Sequence, residues 1–241
     1  MSKTVSKFAF MVGLVLAMAF TFSCSGDDGG DDPSSSSGGD SSSGNGGGGE
    51  SSSSIVGQGG GSCVGFVEGT EREHYGKMKK QFCDERDGQK YVYVVIGTQT
   101  WIAENLNYNA DGSKCYDNLD SNCETYGKLY NWTTAMKACP SGWHLPSQAE
   151  WNVLGDDAKK LKATSGWSGG NGDQYGFSAL PGGNGTSDGS FYSVGSNGYW
   201  WSASENDSDY AYGRYLYYYD DNAYWDYNYK SYLYSVRCLQ D

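Results

Sequence analysis

Between Tyr199 and Tyr234 the chain holds 12 of its 21 tyrosines, together with Trp200, Trp201 and Trp225. The intervening turns carry Glu205, Asn206, Asp207, Asp209, Asp220, Asp221 and Asn222. Flat aromatic faces stack on the C–H faces of sugar rings, while carboxylates and amides meet hydroxyls, so this composition suits a carbohydrate platform. The candidate platform residues are Trp200, Trp201, Tyr217, Tyr219 and Trp225, with Asn206, Asp207 and Asp209 beside them. Tyrosine is also a good strand former, and a sheet with no ligand is the competing reading. Trp200 and Trp201 are adjacent and point to opposite faces of a strand, so the expectation is that at most one belongs to the core.

Candidates for catalysis are few. His144 sits between Trp143 and Leu145 and before Pro146, a context that suits a packed residue bonded to a loop better than a general base. No serine or cysteine has a recognisable nucleophile setting. The expectation is a non-enzyme. Loop oxygens could alternatively serve calcium, which takes roughly 6–8 ligands, but turns use the same residues and no cofactor or metal is expected.

The start of the chain fixes the expected compartment. Lys3 and Lys7 precede an apolar run from Phe8 to Phe22, shorter than the roughly 20 residues of a spanning helix and suited to a signal peptide. Ser23-Cys24 ends the run in a pattern that resembles a bacterial lipobox, which implies lipidation of Cys24 and a membrane partner reached through acyl chains. Residues 1–23 are thus read as a lipoprotein signal. Residues 24–62, almost wholly Gly, Ser, Asp and Asn, are read as a disordered stalk. About 38 such residues have an r.m.s. span of roughly 35 Å. The acidic patch after Cys24 resembles surface-export signals of Bacteroidetes-type lipoproteins, so the expected location is the cell envelope, at the outer membrane. The formal net charge is −12, and the domain beyond the stalk keeps −8 of it, which excludes nucleic-acid binding through counterion release.

Lipidation of Cys24 leaves six of the seven cysteines, an even set that reads as disulfides in an exported domain, with 15 pairings open on number alone. Cys115 and Cys123 bracket a short polar loop. Cys63 and Cys83 flank the domain entrance, residues 63–81. Cys139–Cys238 remains, closing a loop of about 100 residues worth up to about 4.7 kcal/mol in the chain-entropy model.

The elements expected to position these groups follow from pattern. Tyr91–Ile96, a Gly97-Thr98-Gln99 turn and Trp101-Ile102-Ala103 read as a hairpin. Tyr126 to Cys139 puts Leu129, Trp132, Thr133 and Met136 at helical spacing. Ser147 and Glu150 form a capping box opening a second helix, with Trp151 and Leu154 inward. Gly166 to Gly198 reads as an irregular region around one short strand, Phe177–Leu180. Strands are expected at Tyr199–Ala203, Ala211–Tyr219, Tyr224–Tyr229 and Tyr232–Leu239, the last with Tyr232, Tyr234, Val236 and Cys238 on one inner face. Helices followed by antiparallel strands argue for α+β.

Six ordered motifs carry a family resemblance: Trp101-Ile102-Ala103-Glu104-Asn105-Leu106-Asn107-Tyr108; Tyr126-Gly127-Lys128-Leu129-Tyr130-Asn131-Trp132; Cys139-Pro140-Ser141-Gly142-Trp143-His144; Gly176-Phe177-Ser178-Ala179-Leu180-Pro181; Gly198-Tyr199-Trp200-Trp201-Ser202-Ala203; and Ser235-Val236-Arg237-Cys238. Together, residues 82–241 resemble the Fibrobacter succinogenes major paralogous domain. That family is similar to C-type-lectin-like and formylglycine-generating-enzyme folds, implying two helices, a twisted antiparallel sheet and a long loop. A bond from the first helix to the last strand recurs in lectin-like domains, and Cys139–Cys238 would match it. The calcium signatures Glu-Pro-Asn and Trp-Asn-Asp of lectins are absent. The reactive cysteine pair of formylglycine-generating enzymes also has no counterpart once the six cysteines pair. The functional expectation is a surface lipoprotein presenting a non-catalytic binding or adhesion domain for polysaccharide. A structural envelope component with protein partners is the alternative, and an enzyme of formylglycine-generating type the third reading.

Overall fold

Turn residues set the first strands. Tyr75 and Gly76 close a two-residue hairpin between β1 (Glu71–His74) and β2 (Lys77–Cys83), and Gly97 begins the turn from β3 (Lys90–Ile96) to β4 (Gln99–Ile102). The computed structural model describes residues 62–168 and 172–241, all within one compact unit, Ser54–Asp241. The signal segment, Cys24 and the stalk up to residue 61 lie outside the described residues. No helix among the described residues is long and apolar enough to cross a membrane.

Three short α-helices follow: α1 (Asp120–Tyr126), α2 (Trp132–Ala138) and, after the short strand β5 (Trp143–His144), α3 (Gln148–Asn152). The rest is sheet: β6 (Gly182–Gly185), β7 (Phe191–Val194), β8 (Asn197–Glu205), β9 (Tyr210–Tyr217), β10 (Ala223–Tyr229) and β11 (Leu239–Gln240). The first sheet has the order β1-β2-β3-β4-β11-β5 and the second β10-β9-β8-β6-β7. Pairing is antiparallel except between β6 and β8. The fold is α+β and mostly sheet. Its strands bracket the helices, and the segment read as a domain entrance supplies two strands of the first sheet.

The capping box forms as its residues require: Ser147 Oγ accepts from Glu150 N, and Glu150 Oε2 accepts from Ser147 N at 2.7 Å. Trp151 and Leu154 are buried. The expected helix over 126–139 is corrected: α1 has already ended at Tyr126, and only Trp132–Ala138 of the span is helical. Gly127 (φ 73°) ends α1 where a Cβ would lie 2.8 Å from the Asn105 carbonyl oxygen. Leu129 and Tyr130 then pair in bridges with Lys114 and Tyr234. The helix restarts only at Trp132, with Asn131 Oδ1 accepting from Thr134 N. Its buried residues are Ala135 and Ala138, while Met136 is exposed. Phe177–Leu180 forms no strand and makes a single bridge, Lys162 to Ala179.

The last segment differs too. Tyr234 to Cys238 is buried at every position, so alternation fails. The reason is topological: the segment runs between the two sheets. Val236 and Cys238 carbonyls accept from Leu106 N and Ile102 N on one side, and Ser235 exchanges bonds with Tyr199 and Trp201 on the other. Arg237, fully buried, donates to Asn105 Oδ1 and to the carbonyls of Ile102, Phe177 and Ser178. Burial lowers its pKa to about 9.

Disulfides join Cys63 to Cys83, Cys115 to Cys123 and Cys139 to Cys238, the last spanning 99 positions. Cys139 closes α2, and Cys238 lies just before β11.

Candidate functional site

Two core clusters decide which late-strand aromatics can reach a ligand. Tyr199, Trp201 and Tyr215 share one face of the second sheet and pack with Tyr130, Tyr234 and Val236. Trp200 and Leu216 occupy the opposite face and pack with Trp101, Trp151, Leu161 and Phe177. Both tryptophans are 0% exposed. The expectation that at most one of Trp200 and Trp201 is core is therefore corrected, and neither can belong to a platform. The cause is that α3, with Ala158, Leu161, Trp167, Phe177 and Ala179, covers the face that alternation would leave in water. Their indole N–H groups are satisfied inside, by Asn105 Oδ1 for Trp200 and the Tyr130 carbonyl for Trp201.

Toward the β10 edge this cover ends, and the remaining candidates fall into two groups on opposite faces. On the Trp200 face, Trp225 opposes Arg214, Tyr227 opposes Tyr212 and Tyr229 opposes Tyr210. Cross-strand pairs of this kind bring side chains within contact. The rings of Tyr210 and Tyr229 lie 4.5 Å apart, those of Tyr210 and Tyr227 5.7 Å, and Tyr227 meets Tyr212 edge-on. Tyr227 and Tyr229 are 49% and 48% exposed. Trp225 is half-buried, its indole N–H donating to Asn152 Oδ1 and its ring 5.0 Å from the Arg214 guanidinium. Arg214 is itself held by the Gly155 carbonyl and by Asp156 Oδ1, both at 2.6 Å. The ladder is therefore fixed from beneath.

Asn206, Asp207 and Asp209 form the β8–β9 turn at the Tyr210 end of this ladder. Asp207 Oδ1 accepts from Asp209 N and Tyr210 N, and these bonds hold its carboxyl below the usual range. Lys230 Nζ donates to Glu205 Oε1 and to the carbonyls of Asp207 and Ser208. Among the described residues no three His, Cys, Asp or Glu side chains converge as a metal-holding group.

Tyr217 and Tyr219 lie at the other end of β9, on the opposite face, so the structure does not bring them together with Asp207. They stack at 5.6 Å and 11° between planes, with Tyr219 69% exposed and Tyr224 close by. Tyr224 Oη donates to Asp220 Oδ2, which lowers the Asp220 pKa. Buried Lys162 donates to the carbonyls of Tyr217 and Asp220 and so anchors this corner. Burial lowers its pKa.

Sequence reasoning selected Trp225 and missed Tyr210, Tyr212, Tyr227 and Tyr229 as a unit. The signal was available only with the β9–β10 register, which no spacing along one strand reveals. His144 joins two carboxylates, its Nδ1 2.6 Å from Asp241 Oδ1 and its Nε2 3.0 Å from Glu150 Oε1.

Sequence comparison adds the family. A model described as the Fibrobacter succinogenes major domain (Fib_succ_major) matches residues 94–240. No curated protein and no solved structure matches. The matched region includes the strands that carry both tyrosine groups, and it extends over more than half of the sequence. The chain belongs to the Fibrobacter succinogenes major domain family.

Proposed function

We propose that this protein is a non-catalytic polysaccharide-binding lipoprotein of the cell envelope, anchored through Cys24 and exposed at the outer membrane. The observation that carries the binding step is the half-exposed ladder of Tyr210, Tyr212, Tyr227 and Tyr229 continuing into Trp225. Its rings are ordered by one another and by Arg214, so little rotamer freedom is lost when a ligand stacks on them. Asn206 beside them offers amide groups to hydroxyls. We read the fold as C-type-lectin-like, a reading supported by the Cys139–Cys238 link from a helix to the last strand region.

Binding of the full-length chain to a glycan array, and to insoluble plant and envelope polysaccharides, tests the reading. Tyr227→Ala and Tyr229→Ala should each weaken binding by about ten-fold, equivalent to about 1.4 kcal/mol, without unfolding the domain. Retention of full binding by both folded variants would sink the ladder as the contact. Cys24→Ala should move the protein out of the membrane fraction and abolish palmitate labelling. Soluble wild-type protein without label would remove the anchor.

The structural reading, with protein partners, has one observation of its own. Strand β10 is the last in its sheet, and beyond Ala223, whose N–H donates to the Asp156 carbonyl, it pairs with β9 alone, leaving a backbone edge that an extended segment of another protein can join.

A further inference from the structure

Strand β6 is Gly182-Gly183-Asn184-Gly185, so Asn184 carries the only side chain the strand offers. Gly183 has φ 66°, and a Cβ there would overlap the Tyr192 carbonyl oxygen, so glycine is what lets β6 lie this close to β7. Asn184 pairs directly with Tyr192 across the two strands. On the other side Gly183 pairs with Gly198, which puts Asn184 alongside Tyr199, on the sheet face opposite the ladder. With Thr186, Asp188, Ser193 and Tyr232, these residues line an open cleft of about 540 Å³. That volume falls within the roughly 300–1,000 Å³ of small-molecule sites.

Asn184 is only 9% exposed, yet its side-chain amide makes no hydrogen bond to any described residue. Buried polar groups are nearly always paired. The amide is not sealed in, however. Among the described residues, the unpartnered side-chain atoms that lie wholly out of solvent belong to other residues, so the Asn184 amide keeps some surface, and the cleft is where that surface opens. An amide offers two donor hydrogens and an acceptor oxygen, none of them used within the protein.

The rest of the lining narrows the partner. No lysine, arginine or histidine lines the cleft, and its one charged side chain is Asp188. Thr186 Oγ1 and Ser190 N donate to Asp188 Oδ1, bonds that lower its pKa and keep it ionised, while Oδ2 remains to accept. An anion therefore meets a carboxylate with no cation beside it. A single carboxylate is also far short of the roughly 6–8 oxygens that hold calcium. Three tyrosine rings supply apolar area. Tyr192 is 52% exposed, and Tyr199 is braced by Tyr234, whose ring stacks on it at 5.3 Å and 23°. Ser193 holds φ 68°, a strained conformation of the kind found where a ligand is gripped. Amide, carboxylate and phenol rings together suit an uncharged partner with hydroxyls and C–H faces.

We propose that this cleft is a second carbohydrate site, for a neutral sugar unit, with Asn184 and Asp188 meeting its hydroxyls and Tyr192, Tyr199 and Tyr232 flanking its ring. The inference rests on the polysaccharide reading for its ligand class, but not on the ladder, which lies on the other face of the sheet.

The test is a titration of isotope-labelled full-length protein, followed by amide resonances. The probes are neutral tetrasaccharides of β-1,4-linked glucose, xylose and mannose, with oligogalacturonate and decaproline alongside. At least one neutral tetrasaccharide should shift the amides of Asn184, Tyr192, Ser193 and Tyr232. Asn184→Ala should weaken that response by about five-fold or more, yet leave the urea midpoint in place, because the amide bonds nothing within the protein. Tyr192→Ala, at an exposed position, should weaken it by about as much and decides alone if Asn184→Ala unfolds. Tyr232 lies 5.9 Å from Tyr229 between ring centroids, so Tyr227→Ala serves as the ladder control and should leave the cleft response unchanged. Shifts confined to Tyr210, Tyr227 and Tyr229 would overturn the cleft and leave the ladder standing, whereas shifts confined to the cleft would support it and remove the ladder. No shift with any neutral tetrasaccharide, tighter binding of oligogalacturonate or decaproline, full binding by both folded cleft variants, or loss of the response in Tyr227→Ala would each overturn the proposal.

Discussion

Strand β8 puts Trp200 and Trp201 out of solvent on both of its faces, whereas β10, two places away in the same sheet, leaves Tyr224, Tyr227 and Tyr229 in water. Both strands are aromatic and both alternate. What differs is the cover. Tyr130, Ala135, Ala138, Tyr234 and Val236 pack on one face of β8, and α3 with Ala158, Leu161, Trp167, Phe177 and Ala179 packs on the other. Alternation assigns residues to faces, but the neighbouring elements decide whether a face is wet. The same residue type is therefore structural on β8 and available on β10.

The comparison breaks first at its buried end. Trp200→Ala should cost about 3–5 kcal/mol, because the emptied site is walled by Trp101, Trp151 and Phe177 and cannot collapse freely. Tyr227→Ala should stay within about 0.5 kcal/mol of wild type, as exposed sites do. Urea unfolding of the two variants measures both, and equal losses would mean that the β10 tyrosines are as structural as the tryptophans.

Removing the cover should cost somewhat less. Cys139→Ser with Cys238→Ser should lower stability by about 2–4 kcal/mol, below the chain-entropy limit for so long a loop. The loss should appear as earlier hydrogen exchange at Ser235 and Trp201, whose amides bond across the gap between the sheets. Unchanged exchange there would show that the segment is held without the bond.

A third variant acts at the corner between the two regimes. Lys162→Met removes the ammonium that donates to the carbonyls of Tyr217 and Asp220; Asp220 N still donates to the Tyr217 carbonyl, so the Asp220 carbonyl loses its partner, at a cost of about 1–3 kcal/mol. The Tyr217–Tyr219 stack should loosen while the Tyr227–Tyr229 ladder keeps its geometry, a contrast that tyrosine ring resonances would report.

How much of this was readable from residues alone follows the same division. Local chemistry was legible: the capping box at Ser147 and Glu150, the Gly97 turn and the hairpin it joins all form from neighbours in sequence. The cysteine pairing was legible because the remaining cysteines were few and their places distinctive. Non-local cover was not. Nothing in Tyr199–Ala203 states that a Gly-rich stretch dozens of positions earlier folds over it, so Trp200 and Trp201 read as half-exposed.

The smallest effect tests the latch on the cover itself. Helix α3 carries Trp151, whose ring lies 4.9 Å from that of Trp101 in the cluster that also holds Trp200, and Glu150 ties α3 to His144 on β5. Burial pulls the His144 pKa down, but its hydrogen bonds to Asp241 and Glu150 outweigh this and raise it. A histidine whose folded pKa is raised contributes stability that is fully present below its unfolded value, about 6.5, and is lost as pH rises through the folded value. Glu150 acts at the other end. Burial opposes it, yet bonds from Ser147 and His144 hold its pKa down, so its share is present above the ordinary glutamate range and lost as pH falls through the lowered value. The advantage of wild type over His144→Gln should therefore peak near about pH 5–6 and shrink by about pH 8. All three side chains are more than a third exposed, so solvent screening should keep the difference at about 0.2–1 kcal/mol. Urea midpoints across that pH range decide it. A difference that is flat or grows with pH would show that His144 holds α3 by packing alone, and that the cover over Trp200 needs no charge to stay closed.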